Sequence, residues 1–525
     1  METSIREVTS QATIREKKKL RKELSLFDMV FILAAALIGV DQLGAFASNG
    51  GQALTWLIIS AITYFIPYGL LTAELGSTFT QEGGFYEWCK LAGGRFFAAP
   101  VALLCWITNP LWIGGTLSVT AILAIKTLWF GNPQMRFGGS ILVDAVVSML
   151  IALIFIWGTI WSVIISLRKG KLLSIYGTYV KVGLLVLFTV LAIVYALSGH
   201  AQGAHYTLVD LVPSSNTAAI ITTIFPLLVF NWSGFEIQNG AGEEMRNPRR
   251  DVPRAIIRAG LVTVVTMGVV IGTIFLTLPK NQLASATGFL AAYQIVVSIL
   301  PGPIALVLGW LVALAIVVAL ANNGGAWILG IDRVFAIAAL DRAAPAVLGR
   351  FSSKHGTPIA TNIMSGIMAT ITMAASIMFT ALIGGTSATL FALVLGVVLS
   401  TGAILYVVLF SVYLILHYKY PHVHRPYKVP GGTVGAWIVA ILPLTYAVVA
   451  SYFSLIPTDA TLSSFGVARF TYELAVLVPL IIIVLLAVVF YIWGHRQKRN
   501  KDVVVELSFT GEEKTEIVMH ESVAD

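Results

Sequence analysis

Long apolar runs almost free of charge recur along this chain, and that property removes most folds from consideration. Hydrocarbon offers no water to pair with exposed N–H and C=O groups, so a spanning segment must satisfy its backbone internally. A helix does this with roughly 18 or more apolar residues. Twelve such runs can be read: Leu26 to Asn49, Leu54 to Phe79, Phe96 to Leu128, Gly139 to Leu167, Leu172 to Ser198 and Thr217 to Gly242, then Ile256 to Leu278, Pro303 to Ile331, Ile359 to Ile383, Ala388 to Tyr418, Val434 to Ile456 and Glu473 to Trp493. A mean hydropathy of +0.85, with only 11% charged residues, leaves no separate soluble domain between them. The reading is an all-α integral membrane protein of twelve transmembrane helices.

Lys and Arg set the orientation, because short cytoplasmic loops carry the positive excess. With the N-terminus inside, the outer segments hold only Lys126, Arg136, Lys280 and Arg469. Both termini are therefore expected in the cytoplasm and the chain in the cell (inner) membrane. This bias also explains the net charge of +8 without a nucleic-acid partner. Membrane lipid is an expected partner, and the basic run Arg15 to Lys22 is either a contact for anionic headgroups of the inner leaflet or, more often in such runs, only a topology signal. Residues 1–25 and 495–525 read as polar cytoplasmic tails, solvated and mobile; the alternative is that the second docks through Val503, Val504 and Val505.

Two of the runs are interrupted alike: Gly39-Val40-Asp41 breaks the first and Gly234-Phe235-Glu236 the sixth. Glycine alone often only lets helices approach closely. A carboxylate near mid-membrane costs roughly 2.5–3.5 kcal/mol even on the lenient insertion scale, so two at the same offset point to a site. Matched interruptions in two halves of a membrane chain mark the substrate site of a secondary transporter. Unwinding frees N–H groups on one side and carbonyls on the other, a slot suited to a zwitterion. The expected donors are Val40, Asp41 and Gln42, and the expected acceptors Phe230, Asn231 and Trp232.

The stretch Phe230-Asn231-Trp232-Ser233-Gly234-Phe235-Glu236, followed by Glu244-Met245-Arg246-Asn247-Pro248-Arg249-Arg250-Asp251-Val252-Pro253-Arg254-Ala255, resembles the amino acid-polyamine-organocation (APC) transporters. Phe65 to Leu70, Ala73-Glu74, Glu82-Gly83-Gly84, Lys181-Val182-Gly183 and Val429 to Gly432 are similar to bacterial glutamate/GABA antiporters. The resemblance implies a LeuT-type 5+5 inverted repeat. Residues 26–198 would form the first repeat, 199–418 the second, and 419–494 two additional helices.

It further implies a substrate site at Ile38, Gly39, Val40, Asp41, Gln42, Phe230, Asn231, Trp232, Ser233 and Gly234, with Trp232 as an aromatic gate. Glu236 falls on the family's proton-sensing position; the alternative is a hydrogen-bond anchor between spans. Lys181 matches a fifth-span lysine that stands where sodium binds in sodium-coupled relatives, implying sodium-independent transport. Its alternative is a lysine reaching back to the inner interface. Only about 30 residues follow Trp493, so a C-terminal plug of the antiporter kind is not expected.

The expected function is secondary active transport of an amino acid or amine by alternating access, through exchange or proton coupling. A receptor or non-transporting scaffold that keeps the fold is the alternative, although it has no use for three costly charges. Asn109-Pro110 and Asn322 to Gly325 are weaker candidates, equally explained by helix packing. No cofactor or metal is expected, because Cys89 and Cys105 lack ligand spacing and the histidines fall mostly in loops.

Overall fold

The computed structural model describes residues 4–47, 49–165, 167–200, 211–212, 217–277, 288–382, 387–459, 462, 467–496, 502–508 and 517–520; Lys280 lies outside them. Strand β1 (Ser4–Ser10) and helix α1 (Gln11–Lys17) precede the first span. That span opens on a reciprocal cap: Ser25 Oγ accepts from the Asp28 N–H at 3.3 Å and the Asp28 carboxylate accepts from the Ser25 N–H at 2.9 Å. Helix α2 (Leu26–Leu37) stops after three turns, and the chain restarts as α3 (Leu43–Ala47).

Next come α4 (Gln52–Ser60) and α5 (Ile66–Thr78), joined through a π turn, and α6 (Phe85–Trp112) and α7 (Ser118–Phe130), joined likewise. Then follow α8 (Ile141–Ile164), α9 (Leu167–Leu197), α10 (Thr217–Asn231), a 3₁₀ segment (Ile237–Glu244), α11 (Pro248–Thr277) and the short α12 (Gly288–Val297). The remaining helices are α13 (Gly302–Leu340), α14 (Ile359–Leu382), α15 (Ser387–Lys419), α16 (Gly432–Leu455) and α17 (Arg469–His495). Among the described residues, ten helical segments are long and apolar enough to cross a membrane. Neither α2 nor α10 is one of them, because each ends at one of the expected interruptions.

Helix α6 is kinked at Gly94, whose φ +78° and ψ 177° are not helical, so a first piece from Phe85 precedes the expected third span, which begins just past the kink. The first turns of α6 carry Glu87, Lys90 and Arg95, which a hydropathy reading cuts off but which pair here with charges from other segments. Helix α13 lies at the centre, against α2, α6, α7 and α9. The apolar window of α15 is 83% buried and that of α17 only 11%, which makes α15 an interior helix and α17 a peripheral one. Backbones touch where the 3₁₀ segment crosses α13: a Cβ on Gly240 would fall 2.3 Å from the Gly330 carbonyl oxygen. The same segment is tied to the foot of α2, since the Glu23 and Leu24 N–H groups donate to the Glu244 carbonyl at 2.9 and 3.0 Å.

The terminal segments are not the solvated tails expected. Strand β1 pairs antiparallel with β2 (Asp502–Ser508), and β2 pairs with β3 (Ile517–His520). Val503, Val505 and Leu507 are buried on alternate positions, the period of a half-buried strand. Ion pairs dock the sheet on α6 and the end of α13. Lys90 pairs with Glu7 and, at 3.1 Å, with Asp341; Arg95 reaches Asp341 at 2.6 Å and Asp502 at 2.9 Å. Ser10 Oγ donates to the Leu340 carbonyl at 2.7 Å. Composition missed this sheet because each strand is short and β1 has its partner at the other end of the chain.

Candidate substrate site

At the first break the helical ladder ends with the Ile38 N–H on the Ala34 carbonyl at 3.2 Å and resumes with the Phe46 N–H on the Gln42 carbonyl at 2.9 Å. The last carbonyls of α2 accept side-chain donors, and the partial negative charge of a helix C-terminus favours a cation there. Lys181 of α9 supplies one: its Nζ donates to the Ala35 and Ile38 carbonyls at 2.8 and 3.0 Å. From α13, Trp327 Nε1 donates to the Ala36 carbonyl at 3.3 Å and Asn323 Nδ2 to that of Ile38 at 3.4 Å. Lys181 is 0% exposed, which overturns the alternative of a lysine reaching the interface.

Asp41, in the unwound stretch, is 3% exposed. Its Oδ2 accepts from Trp112 Nε1 at 3.0 Å. The Gln42 side chain and the unwound backbone are further hydrogen-bonding neighbours of the same carboxylate.

The second break is held differently. After Asn231, Gly234 adopts φ +127°, a conformation open to glycine and strained for other residues. The Gly234 and Phe235 N–H groups both donate to the Tyr68 hydroxyl of α5, at 3.1 and 3.0 Å. That hydroxyl donates in turn to Glu236 Oε2. Tyr406 of α15 donates to Glu236 Oε1 at 2.8 Å, so both carboxylate oxygens are engaged. The anchoring geometry weighed for Glu236 is thus present, joining α5 and α15 across the break. The two breaks abut, since a Cβ on Gly234 would lie 3.4 Å from Leu37 Cδ2.

A cavity opens beside them, walled by Asn109 and Trp112 of α6, Phe230, Ser233 and Glu236 of the second break, Trp327 of α13 and Tyr406 of α15. The space open to the centre of a water molecule is about 30 Å³. One water needs about 10–15 Å³ on that measure, so the site is contracted here to the size of a few waters. A second hollow of about 10 Å³ is walled by Val40, Asp41, Gly44 and Phe289 among others.

The expected residues divide accordingly. Phe230, Ser233 and Glu236 line the larger cavity, and Val40 and Asp41 the smaller. Ile38 contributes its carbonyl to Lys181, while Gly39 and Gln42 line neither hollow. Asn231, Trp232 and Gly234 stand behind the larger wall. The gate assigned to Trp232 is corrected: its indole donates to Ser60 Oγ at 2.8 Å and packs on Phe65 at 4.5 Å, which turns it away from the cavity. The aromatic residues on the wall are Phe85, Trp112, Phe230, Trp327 and Tyr406.

Tyr68, Trp112, Trp327 and Tyr406 were not expected. A sequence signal existed for three: Tyr68 stands in the run carrying the family resemblance, Trp112 lies one helical turn from Asn109, and Trp327 one turn from Asn323. Asn109, a weak candidate, is 2% exposed on the wall with neither side-chain atom partnered. Among the described residues no group of three or more His, Cys, Asp or Glu is placed to hold a metal ion.

Comparison with known proteins agrees with this architecture. The chain is 24% identical over 469 residues to the "Probable agmatine/putrescine antiporter AguD" of Lactococcus lactis subsp. lactis, covering 89% of this chain and 94% of that protein. It is 23% identical over 500 residues to the "Glutamate/gamma-aminobutyrate antiporter" of the same organism, covering 93% of each. It is 27% identical over 290 residues to the "Aspartate/glutamate permease AcaP" of Lactococcus lactis subsp. cremoris, covering 52% of this chain and 56% of that one. These relatives are named as permeases and antiporters of amino acids or amines, and not as enzymes. The sequence model described as "Amino acid permease" matches residues 24–486, and the chain accordingly belongs to the amino acid permease family of the APC superfamily.

Proposed function

We propose that this chain moves an amino acid or amine across the cell membrane by alternating access, holding it between the broken first and sixth spans. The observation that carries the reading is the abutment of two helix interruptions beside one cavity walled by Phe230, Ser233 and Glu236. Unwound main chain offers donors and acceptors that continuous helices withhold, and a site between two repeats can open to either side by rigid rocking. Glu236, bridging α5 and α15 through Tyr68 and Tyr406, is the proposed proton-responsive group. Losing its charge would weaken both tyrosine hydrogen bonds and loosen the two helices.

Lys181 is proposed to act as a built-in cation. Its ammonium occupies carbonyls at the end of α2 that a sodium ion would otherwise bind, so transport proceeds without sodium. Ten long spans and the two broken ones make twelve crossings in this reading. The pairing of β1 with β2 supports an even number, because it holds both termini on one face. The positive-inside bias puts that face in the cytoplasm, with 26–198 and 199–418 as the inverted repeats. Exchange is proposed over proton symport because two of the relatives above are named antiporters.

Counterflow in proteoliposomes tests the reading. Vesicles preloaded with a panel of amino acids and amines should accelerate uptake of at least one labelled member at equal rates in sodium and choline buffers. Absence of counterflow for every compound sinks the exchanger, and a strict sodium requirement sinks the role given to Lys181.

A further inference from the structure

The start of α11 carries its positive charge in a line. Arg250, Arg254 and Arg258 recur every four residues on one face, and all three are exposed. Leu261 and Val265 continue that stripe, equally exposed, so within one turn the face changes from guanidinium to aliphatic. Any cation in a short loop satisfies the positive-inside bias. Three on one helix face do something else, because like charges one turn apart destabilise the helix that holds them.

The protein supplies little to offset that repulsion. Arginines turned inward at this end are paired, Arg333 with Glu244 at 3.0 Å and Arg95 with Asp341 at 2.6 Å. Along the stripe, Asp251 lies 3.8 Å from Arg250, and among the described residues no carboxylate is within ion-pair distance of Arg254 or Arg258. Arg258 stands two residues past the start of the apolar run at Ile256, beside the exposed Ile257. That puts its guanidinium at the boundary between headgroups and hydrocarbon, where a cation without a counter-ion is costly. Phosphate is the anion a bilayer offers at that depth, and a guanidinium binds it through two parallel N–H donors.

We infer that the stripe Arg250–Arg254–Arg258 binds one anionic phospholipid, its phosphate between the guanidinium groups and its acyl chains along Leu261 and Val265. The foot of α2 completes the headgroup side: the Arg246 N–H donates to the Leu24 carbonyl at 3.0 Å, which brings the exposed Arg21 and Lys22 to the start of α11. Lys17 and Lys19, close by in the chain, are spent instead on Glu243 and Glu16 at 2.8 and 2.7 Å. The lipid lies over the seam where α2 packs on α11, and so ties the span that ends in the first break to the one that follows the second. None of these residues lines the substrate cavity or the smaller hollow.

Native mass spectrometry of the full-length chain in detergent, titrated with phosphatidylglycerol or phosphatidylcholine, is the test. One phosphatidylglycerol should be retained under conditions that strip phosphatidylcholine. Arg254→Gln combined with Arg258→Gln should weaken its binding about twenty-five-fold, about fivefold for each cation near the phosphate plane. Arg254→Lys with Arg258→Lys, which keeps the charge and the fold, should recover most of it. Arg350→Gln with Lys354→Gln removes two exposed cations from the segment after α13 and should leave binding unchanged. Equal retention of the two lipids overturns the proposal, and so does an equal loss in the two glutamine pairs, which would make the attraction a property of the whole face. Displacement of the lipid by inorganic phosphate alone also overturns it, because the acyl chains would then contribute nothing.

Discussion

The two helix breaks do the same geometric job with opposite chemistry. At the first, the exposed groups are carbonyls, and three side chains from α9 and α13 donate to them, one of them an ammonium. At the second, the exposed groups described are N–H donors, and one hydroxyl accepts both while donating to a carboxylate. The first break is thus clamped by a fixed charge. The second hangs on a neutral hydroxyl and a group able to gain a proton. The difference suggests a division of labour, in which α2 keeps its shape through the transport cycle and the Tyr68–Glu236–Tyr406 bridge is the part that rearranges.

Lys181→Ala should break the comparison hardest. It strips the ammonium from the Ala35 and Ile38 carbonyls and lets the end of α2 shift, and a misplacement of about 1 Å lowers turnover by roughly a hundredfold. Initial uptake rates, normalised to folded protein, measure this, and a fully active variant would show that the clamp is dispensable.

Tyr68→Phe tests the second break. It leaves the Gly234 and Phe235 N–H groups without their acceptor, and each orphaned buried donor costs about 1–3 kcal/mol. A lowered unfolding temperature in detergent is the expected outcome; an unchanged one would mean that the hydroxyl is replaceable.

Glu236→Gln sharpens the contrast. Charge is lost while the size is kept, so folded yield should hold and the pH dependence of uptake should flatten, by about tenfold or less at the extremes. A profile identical to wild type would leave Glu236 an anchor alone.

The smallest effect concerns the terminal sheet, away from both breaks. Burial alone would raise the Asp341 pKa, but the flanking Lys90 and Arg95 more than offset this and hold it below the usual carboxylate value. A group whose pKa is depressed on folding stabilises above its unfolded value, near about 3.9, and loses that contribution as pH falls through the folded one. Hydrogen-exchange protection of 502–508 should therefore persist from neutral pH to about 5 and fade in stronger acid. Asp341→Asn should weaken that protection even at neutral pH, while transport by the membrane core persists.

What the sequence revealed follows from which signals are local. Gly39 with Asp41 and Gly234 with Glu236 interrupt otherwise apolar runs, and Lys181 is a charge where none belongs, so each stands out against its own neighbours. Tyr406 does not, because an aromatic residue in an apolar helix looks the same whether it packs or donates to a buried carboxylate. Trp232 misled for the same reason: its place in the break was right for a gate, but the direction of its indole is set by Ser60 and Phe65, on other segments. The sheet was hidden most deeply, because β1 shows its meaning only beside a strand about five hundred residues later.

That pairing constrains the order of assembly. Residues made first must wait, unpartnered, until the ribosome has released the last ones, so closing the sheet reports that every helix between them has been inserted with its ends on the correct sides. A product lacking β2 would keep the edge of β1 unpaired, open to pairing with another chain.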